Sequence, residues 1–435
     1  MSQNGKKQKH KHLTNNLLTQ GKIISMAKNK KKRKNKLKRI AIIGTVGVPA
    51  KYGGFETLVD NLVERLASDY KITVYCSKKN YTKTERVKYY KGAKLVYLPF
   101  SANGAQSIIY DIISIFHSLF IADTLLILGV SGGIVVPFVR WFTNKKIIVN
   151  IDGQEWKRDK WNFFAKKFLK MSEKIAVRYS HADITDNLSI KRYTSLFYKT
   201  LSILIEYGGD HVLNIKPTNN DIAKYSFLNS SYFFNVARIE PENHIHTILK
   251  SFENTDKVLV MVGNWNNSEY GIELKEKYRN HDNIKILDAI YNQKELDLIR
   301  GNCLAYIHGH SAGGTNPSLV EAMNLGLPII AFDVSYNVTT TENKAIYFKN
   351  SDDLKLRIQN LLHSELLRNK EDMFEIAKRR YTWDIISKKY SNLIKSFDYN
   401  YEKSEIKSKI QKYFTDNELN KNESGHIKNT YKYYE

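Results

Sequence analysis

What most constrains this chain is a strand–helix pattern that runs twice. Arg39–Thr45 (RIAIIGT) is a short β-branched apolar run ending near a glycine, as expected of a strand buried on both faces of a parallel sheet. Similar runs follow at Ile72–Cys76, Lys94–Leu98, Thr124–Leu128, Lys146–Ile151 and Ala182–Thr185, with amphipathic stretches such as Phe55–Leu66 and Trp161–Tyr179 between them. After Tyr207-Gly208-Gly209 the alternation restarts. Ser231–Val236, Lys257–Val262, Ile284–Leu287, Leu304–Ile307 and Pro328–Ala331 read as strands; Pro241–Phe252, Glu295–Arg300 and Pro317–Leu325 read as helices. The pattern predicts an α/β fold of two Rossmann-like domains. The hinge falls near Ile205–Asp221, and a closing amphipathic helix ends at Ser396. The resulting division is a basic tail (1–38), a first domain (39–205), a second domain (206–382), a closing helix (383–396) and a polar tail (397–435).

At 435 residues the chain is long enough for two separate cores. Its net charge of +24 is concentrated: residues 1–39 carry fourteen Lys or Arg and no acidic residue. Such a block cannot build a core and is expected to be disordered. It reads either as a solvated tail or as a partner for anionic lipid headgroups. Nucleic acid is disfavoured, since no recognition motif or aromatic interleaving accompanies the charge. The cysteines, Cys76 and Cys303, sit in apolar runs and suit a reduced, cytoplasmic setting. There is no apolar N-terminal segment of the secretory kind. The most apolar region, Ser107–Phe142, has an uncharged run only from Thr124 to Val139, short of the roughly 18–20 residues a spanning helix needs. It reads as strand, turn and helix within a domain.

Four loops carry candidate chemistry. Gly44–Glu56 joins the first strand to the first helix, and its glycines let backbone N–H groups approach an anion at the helix N-terminus. Gly53, Gly54 and Glu56 are its candidate acceptor or phosphate residues; a plain glycine turn is the bland alternative. The second loop, Ser311–Pro328, is the sharpest. Asn316 can cap a helix whose first residue is Pro317. Gly313, Gly314, Thr315, Asn316 and the amides of Ser318 and Leu319 would then face a diphosphate, with Glu321 one turn in, where a carboxylate can accept from vicinal sugar hydroxyls. In the third loop, Arg238 follows a strand and its planar fork suits phosphate oxygens. In the fourth, Asp152 and Glu155 follow Lys146–Ile151, where ligands bind in open α/β sheets; either can orient an acceptor hydroxyl or act as a base. No D-x-D, zinc spacing, P-loop or G-x-S-x-G is present, and His308 and His310 are weak metal candidates.

Together the blocks GTVGVPAKYGGFETLV, NIDGQEWKRDKW, NVARIEPENHIHTIL and HGHSAGGTNPSLVEAMNLGLPI resemble glycosyltransferase family 4, and within it the bacterial rhamnosyltransferase-like subfamily of capsule and exopolysaccharide synthesis. The resemblance covers about residues 39–396. It implies a GT-B fold, with two Rossmann-like domains facing across a cleft. The implied activity is retaining transfer of a sugar, rhamnose for this subfamily, from a nucleotide diphosphate donor such as dTDP-rhamnose. The acceptor would be a lipid-diphosphate-linked saccharide at the inner face of the plasma membrane, reached through the basic tail. No metal or other cofactor is implied. By position, Gly53 and Gly54 match the family's N-terminal loop, Arg238 its diphosphate ligand, and Glu321 the second acid of E-x7-E, which holds the donor ribose. Gly313 stands where the first acid belongs, the lysine that usually follows the arginine is replaced near Asn243, and the first-domain histidine is replaced around Asp152. Those departures keep two other readings open: a GT-B-fold nucleotide-sugar epimerase, and a non-catalytic nucleotide-sugar-binding membrane scaffold.

Overall fold

The computed structural model describes residues 37–51, 53–151, 153, 155–157 and 161–399. The expectations for the basic and polar tails fall largely outside them, as does Asp152. Two sheets organise the rest. The first contains β1 (Arg39–Ile43), β2 (Lys71–Ser77), β3 (Tyr89–Tyr90), β4 (Ala93–Leu98), β5 (Thr124–Leu128), β6 (Lys146–Asn150), β7 (Ala182–Thr185) and β8 (Ile203–Leu204), in the order β3-β4-β2-β1-β5-β6-β7-β8. Only β3 runs antiparallel. The second contains β9 (Tyr232–Val236), β10 (Val258–Val262), β11 (Ile284–Leu287), β12 (Ala305–His308), β13 (Ile329–Phe332) and β14 (Ile346–Phe348), ordered β11-β10-β9-β12-β13-β14 and wholly parallel.

Helices cover both faces of each sheet, which is why the central strands are apolar at nearly every position. Ile40, Ala41, Ile42 and Ile43 of β1 are all buried, and Ile42 pairs in register with Val74 and Leu126. The two-Rossmann architecture and its closing helix are as the sequence pattern predicts. The helix Trp383–Ser396 crosses back onto the helix Gly54–Leu66, where Arg65 Nε donates to Asp384 Oδ1 at 2.8 Å. Tyr390 of the same helix accepts from Asn150 Nδ2 at the end of β6, at 3.0 Å. Near the hinge, buried Glu206 pairs with Arg380 and Lys389.

Two local expectations change. Ser107–Phe142 begins with a helix, Gln106–Ile121, ahead of β5 and the short helix Val136–Phe142. Its apolar positions serve both a buried and an outward face, so periodicity alone hides the helix. Pro241–Phe252 is not one helix. His244 takes a left-handed conformation (φ 51°) that ends a 3-10 turn at Asn243 and starts the helix Ile245–Phe252 afresh. The ring of His244 is held there by stacking on Phe332, 3.8 Å between centroids, and by a 2.9 Å contact from Nδ1 to Gly309 O.

Candidate active site

The carboxyl ends of both sheets open onto one cleft of about 750 Å³ between the domains. This is where ligands bind in open α/β sheets, because the strand-to-helix loops leave glycines and helix N-termini facing the opening.

On the second-domain side, β12 leads through Gly309–Asn316 into the helix Pro317–Asn324. Asn316 is its N-cap, with Pro317 first, as the sequence predicts; Asn316 Oδ1 accepts from Ser318 N at 3.0 Å. The cap corrects one expectation. The Ser318 amide is engaged by Asn316, and the Leu319 amide donates to Asn316 O at 3.2 Å with its side chain fully buried, so neither is offered to a ligand. The amides of Gly313 and Gly314, three and two residues before the cap, take no partner among the described residues. Gly313 has φ 135°, and a Cβ there would stand 2.9 Å from His310 Nε2, so glycine suits this position. Thr315 is tied across the cleft, its N donating to Asp186 Oδ2 at 3.0 Å and its Oγ1 to Asp186 O at 2.6 Å. Gly153 of the first domain packs directly on Gly313 and Gly314; a Cβ on it would lie 2.4 Å from Gly313 Cα.

Glu321 lines the cleft one turn into its helix. Arg300 Nη1 donates to its Oε2 at 2.5 Å, and His211 Nε2 lies 3.2 Å from its Oε1. Arg300 is fully buried and also donates to Asp297 Oδ1 at 2.6 Å. His211 Nδ1 accepts from Trp383 Nε1 at 3.0 Å, which leaves the His211 proton on Nε2, aimed at Glu321. Burial alone would raise the Glu321 pKa, but Arg300 and His211 outweigh it and bring it down to about 2. The carboxylate is thus ionised and held from behind.

Arg238, at the end of β9, is 40% exposed in the cleft with Glu240 3.7 Å away. Its loop is braced by Asn243, whose Nδ2 donates to Arg238 O at 2.7 Å and whose Oδ1 accepts from His310 Nδ1 at 2.6 Å. His308 beneath them is buried and neutral, burial lowering its pKa to about 3.

On the first-domain side, Gly53 (φ 123°) caps the helix Gly54–Leu66, and a Cβ on Gly54 would meet Pro317 Cγ at 3.5 Å. Glu56 lines the cleft as well, with Oε1 already engaged: it accepts from Val46 N at 2.7 Å and Thr45 Oγ1 at 2.9 Å, so the carboxylate braces its own loop. Glu155 lines the cleft and accepts from Trp161 Nε1 at 3.1 Å. Asp111, on the helix Gln106–Ile121, also lines the cleft, and burial, partly offset by the Gly132 amide, raises its pKa to about 8. Asp111, Asp186, His211 and Arg300 are site residues that the sequence motifs do not point to.

Residues 218–380 match glycosyl transferases group 1, and residues 37–210 match DUF1972, a domain of unknown function. The chain therefore carries a glycosyltransferase group 1 domain, and its architecture is that of GT-B glycosyltransferases. A sucrose-phosphate synthase from Thermosynechococcus elongatus superposes with a TM-score of 0.70 at 16% identity, over 84% of this chain and 100% of that one. The Anabaena protein HepE, in complex with UDP-glucose, gives 0.64 at 13% identity, over 83% and 100%. The catalytic domain of starch synthase IV from Arabidopsis thaliana, bound to ADP and acarbose, gives 0.60 at 12%, over 82% and 99%. At these identities the likeness speaks for the fold. No curated protein sequence matches the chain.

Proposed function

We propose that this chain is a retaining glycosyltransferase that moves a hexosyl group, rhamnose by the family resemblance, from a nucleotide diphosphate donor such as dTDP-rhamnose. The acceptor in this reading is a lipid-diphosphate-linked saccharide of envelope or exopolysaccharide synthesis, met at the cytoplasmic face of the membrane.

The observation that carries the reading is the pairing, in one cleft, of an anion-seeking side with a hydroxyl-accepting carboxylate. Arg238 and the Gly313 and Gly314 amides supply positive potential where the departing diphosphate gains charge, the interaction that dominates catalysis at such sites. Glu321 beside them is kept ionised, and a carboxylate offers about four acceptor sites, of which Arg300 and His211 occupy two. The remaining lone pairs suit vicinal hydroxyls of a ribose. With the diphosphate charge met by these groups, the reading requires no metal. Glu155 lines the first-domain side of the cleft as the carboxylate to orient an acceptor hydroxyl; Asp152, assigned the same role from sequence, lies outside the described residues.

The test is transfer by the purified full chain, offering dTDP-rhamnose and common UDP-sugars with a lipid-diphosphate-glucose acceptor in the presence of EDTA. The expected result is transfer from one donor with the anomeric configuration retained by NMR, and a loss of kcat of about a hundredfold or more in Arg238→Ala. Donor turnover to an epimer without acceptor, or donor binding with no transfer to any acceptor, would overturn it.

A further inference from the structure

Among the described residues no helix is long and apolar enough to cross a membrane. The first domain nevertheless leaves a band of large rings in the open. On the outward side of the helix Gln106–Ile121, Phe116 and Phe120 are exposed, Phe120 at 83%. Phe116 packs edge-on against Phe138 of the neighbouring helix Val136–Phe142, with centroids 5.6 Å apart, and Phe138 lies 4.8 Å from Phe142. Phe142 is 71% exposed and Trp141 65%. This is a contiguous patch, not scattered apolar residues, and such patches mark interaction sites.

The charge around it has one sign. The helices Gln106–Ile121, Val136–Phe142 and Phe163–Tyr179 hold two carboxylates, Asp111 and Glu173, and both are buried. Arg140, Lys167, Lys170, Lys174 and Arg178 are exposed. The last four recur at three- and four-residue spacing, on the outward stripe that begins at the exposed Phe163. On these three helices aromatic side chains stand amid exposed cations with no exposed anion, and the exposed Asp123 just past Phe120 is paired with Arg39; such a face complements a surface with anionic headgroups over an apolar interior. A protein partner would need carboxylates set among apolar pockets, whereas a lipid surface supplies both features at any position along the band.

We propose that these three helices form a monotopic docking face that seats the first domain on an anionic phospholipid bilayer, with the rings of Phe138, Trp141 and Phe142 in the headgroup–acyl boundary. The face reaches the cleft at two points. Ser107, in the first turn of the helix Gln106–Ile121, lines the cleft, and so does Trp161, two residues before Phe163. A saccharide whose lipid tail stays in the bilayer therefore meets the acceptor side of the cleft without leaving the membrane. This last step rests on the lipid-linked acceptor proposed above; the docking itself does not.

The test titrates the full chain with vesicles of phosphatidylcholine plus phosphatidylglycerol, and with pure phosphatidylcholine, at low salt and at roughly 0.5 M salt, where exposed charges are largely screened. Wild type is expected to prefer the anionic vesicles at low salt and to keep measurable binding at high salt. F138S/W141S/F142S is expected to lose that salt-resistant part at least about tenfold. Trp141 and Phe142 are mostly in solvent and Phe138 about half so, and none of them lines the cleft, so the variant should stay folded and transfer normally to a water-soluble acceptor. Brominated lipids should quench wild-type tryptophan fluorescence and quench W141F distinctly less. Binding abolished by salt in wild type, equal binding by the triple variant, or a solution dimer that hides the rings and leaves vesicles unbound would overturn the proposal. Salt-resistant docking in a protein that transfers to no acceptor would leave the face standing and remove the transferase reading.

Discussion

The two glycine loops that face each other across the cleft look alike in sequence and are built in opposite ways. Each joins a central strand to a helix, and each helix carries a glutamate near its start. Glu56 is the third residue of its helix, from where a carboxylate reaches back to the amides and hydroxyls before the helix; it accepts from Val46 N and Thr45 Oγ1. Glu321 is the fifth residue of its helix, beyond that reach, and is turned to Arg300 and His211 instead. The acid of the first loop therefore braces its own chain, while that of the second is held by other elements and, among the described residues, the Gly313 and Gly314 amides take no partner. A glycine-rich turn tells little by itself; the position of the acid along the helix tells whether it braces that turn.

The contrast breaks most severely at Arg300. It is fully buried between Asp297 and Glu321, and Arg300→Met would leave two carboxylates without their cation. Removing one partner of such a buried set costs about 3–5 kcal/mol, because the fully buried Asp297 is left without its cation. Denaturant unfolding should show that loss, accompanied by loss of donor binding as Glu321 is released. An unfolding midpoint near wild type would mean that the second loop is not braced from behind.

Matched glycine substitutions sharpen the comparison at a smaller scale. Gly53→Ala and Gly313→Ala both place a Cβ on a backbone with φ near 130°, at about 1–3 kcal/mol of strain each. At Gly53 the new atom would fall 1.9 Å from Glu56 Oε2 and disturb the loop that this acid braces; at Gly313 it would crowd His310 within the second loop. Calorimetric titration with the donor should show affinity falling about tenfold or more in Gly313→Ala and distinctly less in Gly53→Ala, at similar losses of stability. Equal losses of affinity would make both loops donor ligands and erase the distinction.

How far this could be read in the sequence follows from range. Strand runs such as RIAII and the Asn316-Pro317 cap are local, and periodicity and capping chemistry expose them. The short β3, β8 and β14 carry too few residues to show a period, and the left-handed His244 depends on Phe332 and Gly309, far along the chain. The site divides the same way. Arg238 and Glu321 sit at loop ends where a ligand residue is sought, but Arg300 lies in an ordinary amphipathic segment, 21 residues from the carboxylate it holds. His211 follows two glycines at the domain junction, and only the return of Trp383 from the closing helix fixes its proton. The Asn316 cap is legible in the sequence, and its consequence is that the Ser318 amide goes to the cap's side chain and the Leu319 amide to its main-chain oxygen instead of to a ligand.

The last contrast is in pH, and it separates the two sides of the cleft by sign. Glu321 has a folded pKa of about 2 against an ordinary 4.5, so its ionised form is favoured by folding. Its contribution is whole above about pH 4.5 and is lost as pH falls toward 2, because the unfolded chain takes up the proton first. Asp111 is the reverse. Burial holds its folded pKa at about 8 against 3.8, so its contribution is present below about pH 3.8 and is lost as pH rises through 8. Unfolding curves across pH should therefore respond to the two amides differently. Glu321→Gln should flatten the acid limb and leave the alkaline side alone; Asp111→Asn should raise stability relative to wild type near pH 8 and leave the acid limb intact. If Asp111→Asn changes nothing between pH 4 and 8, Asp111 is ionised in the folded protein, and the first-domain side of the cleft is charged where its surroundings argue that it is neutral.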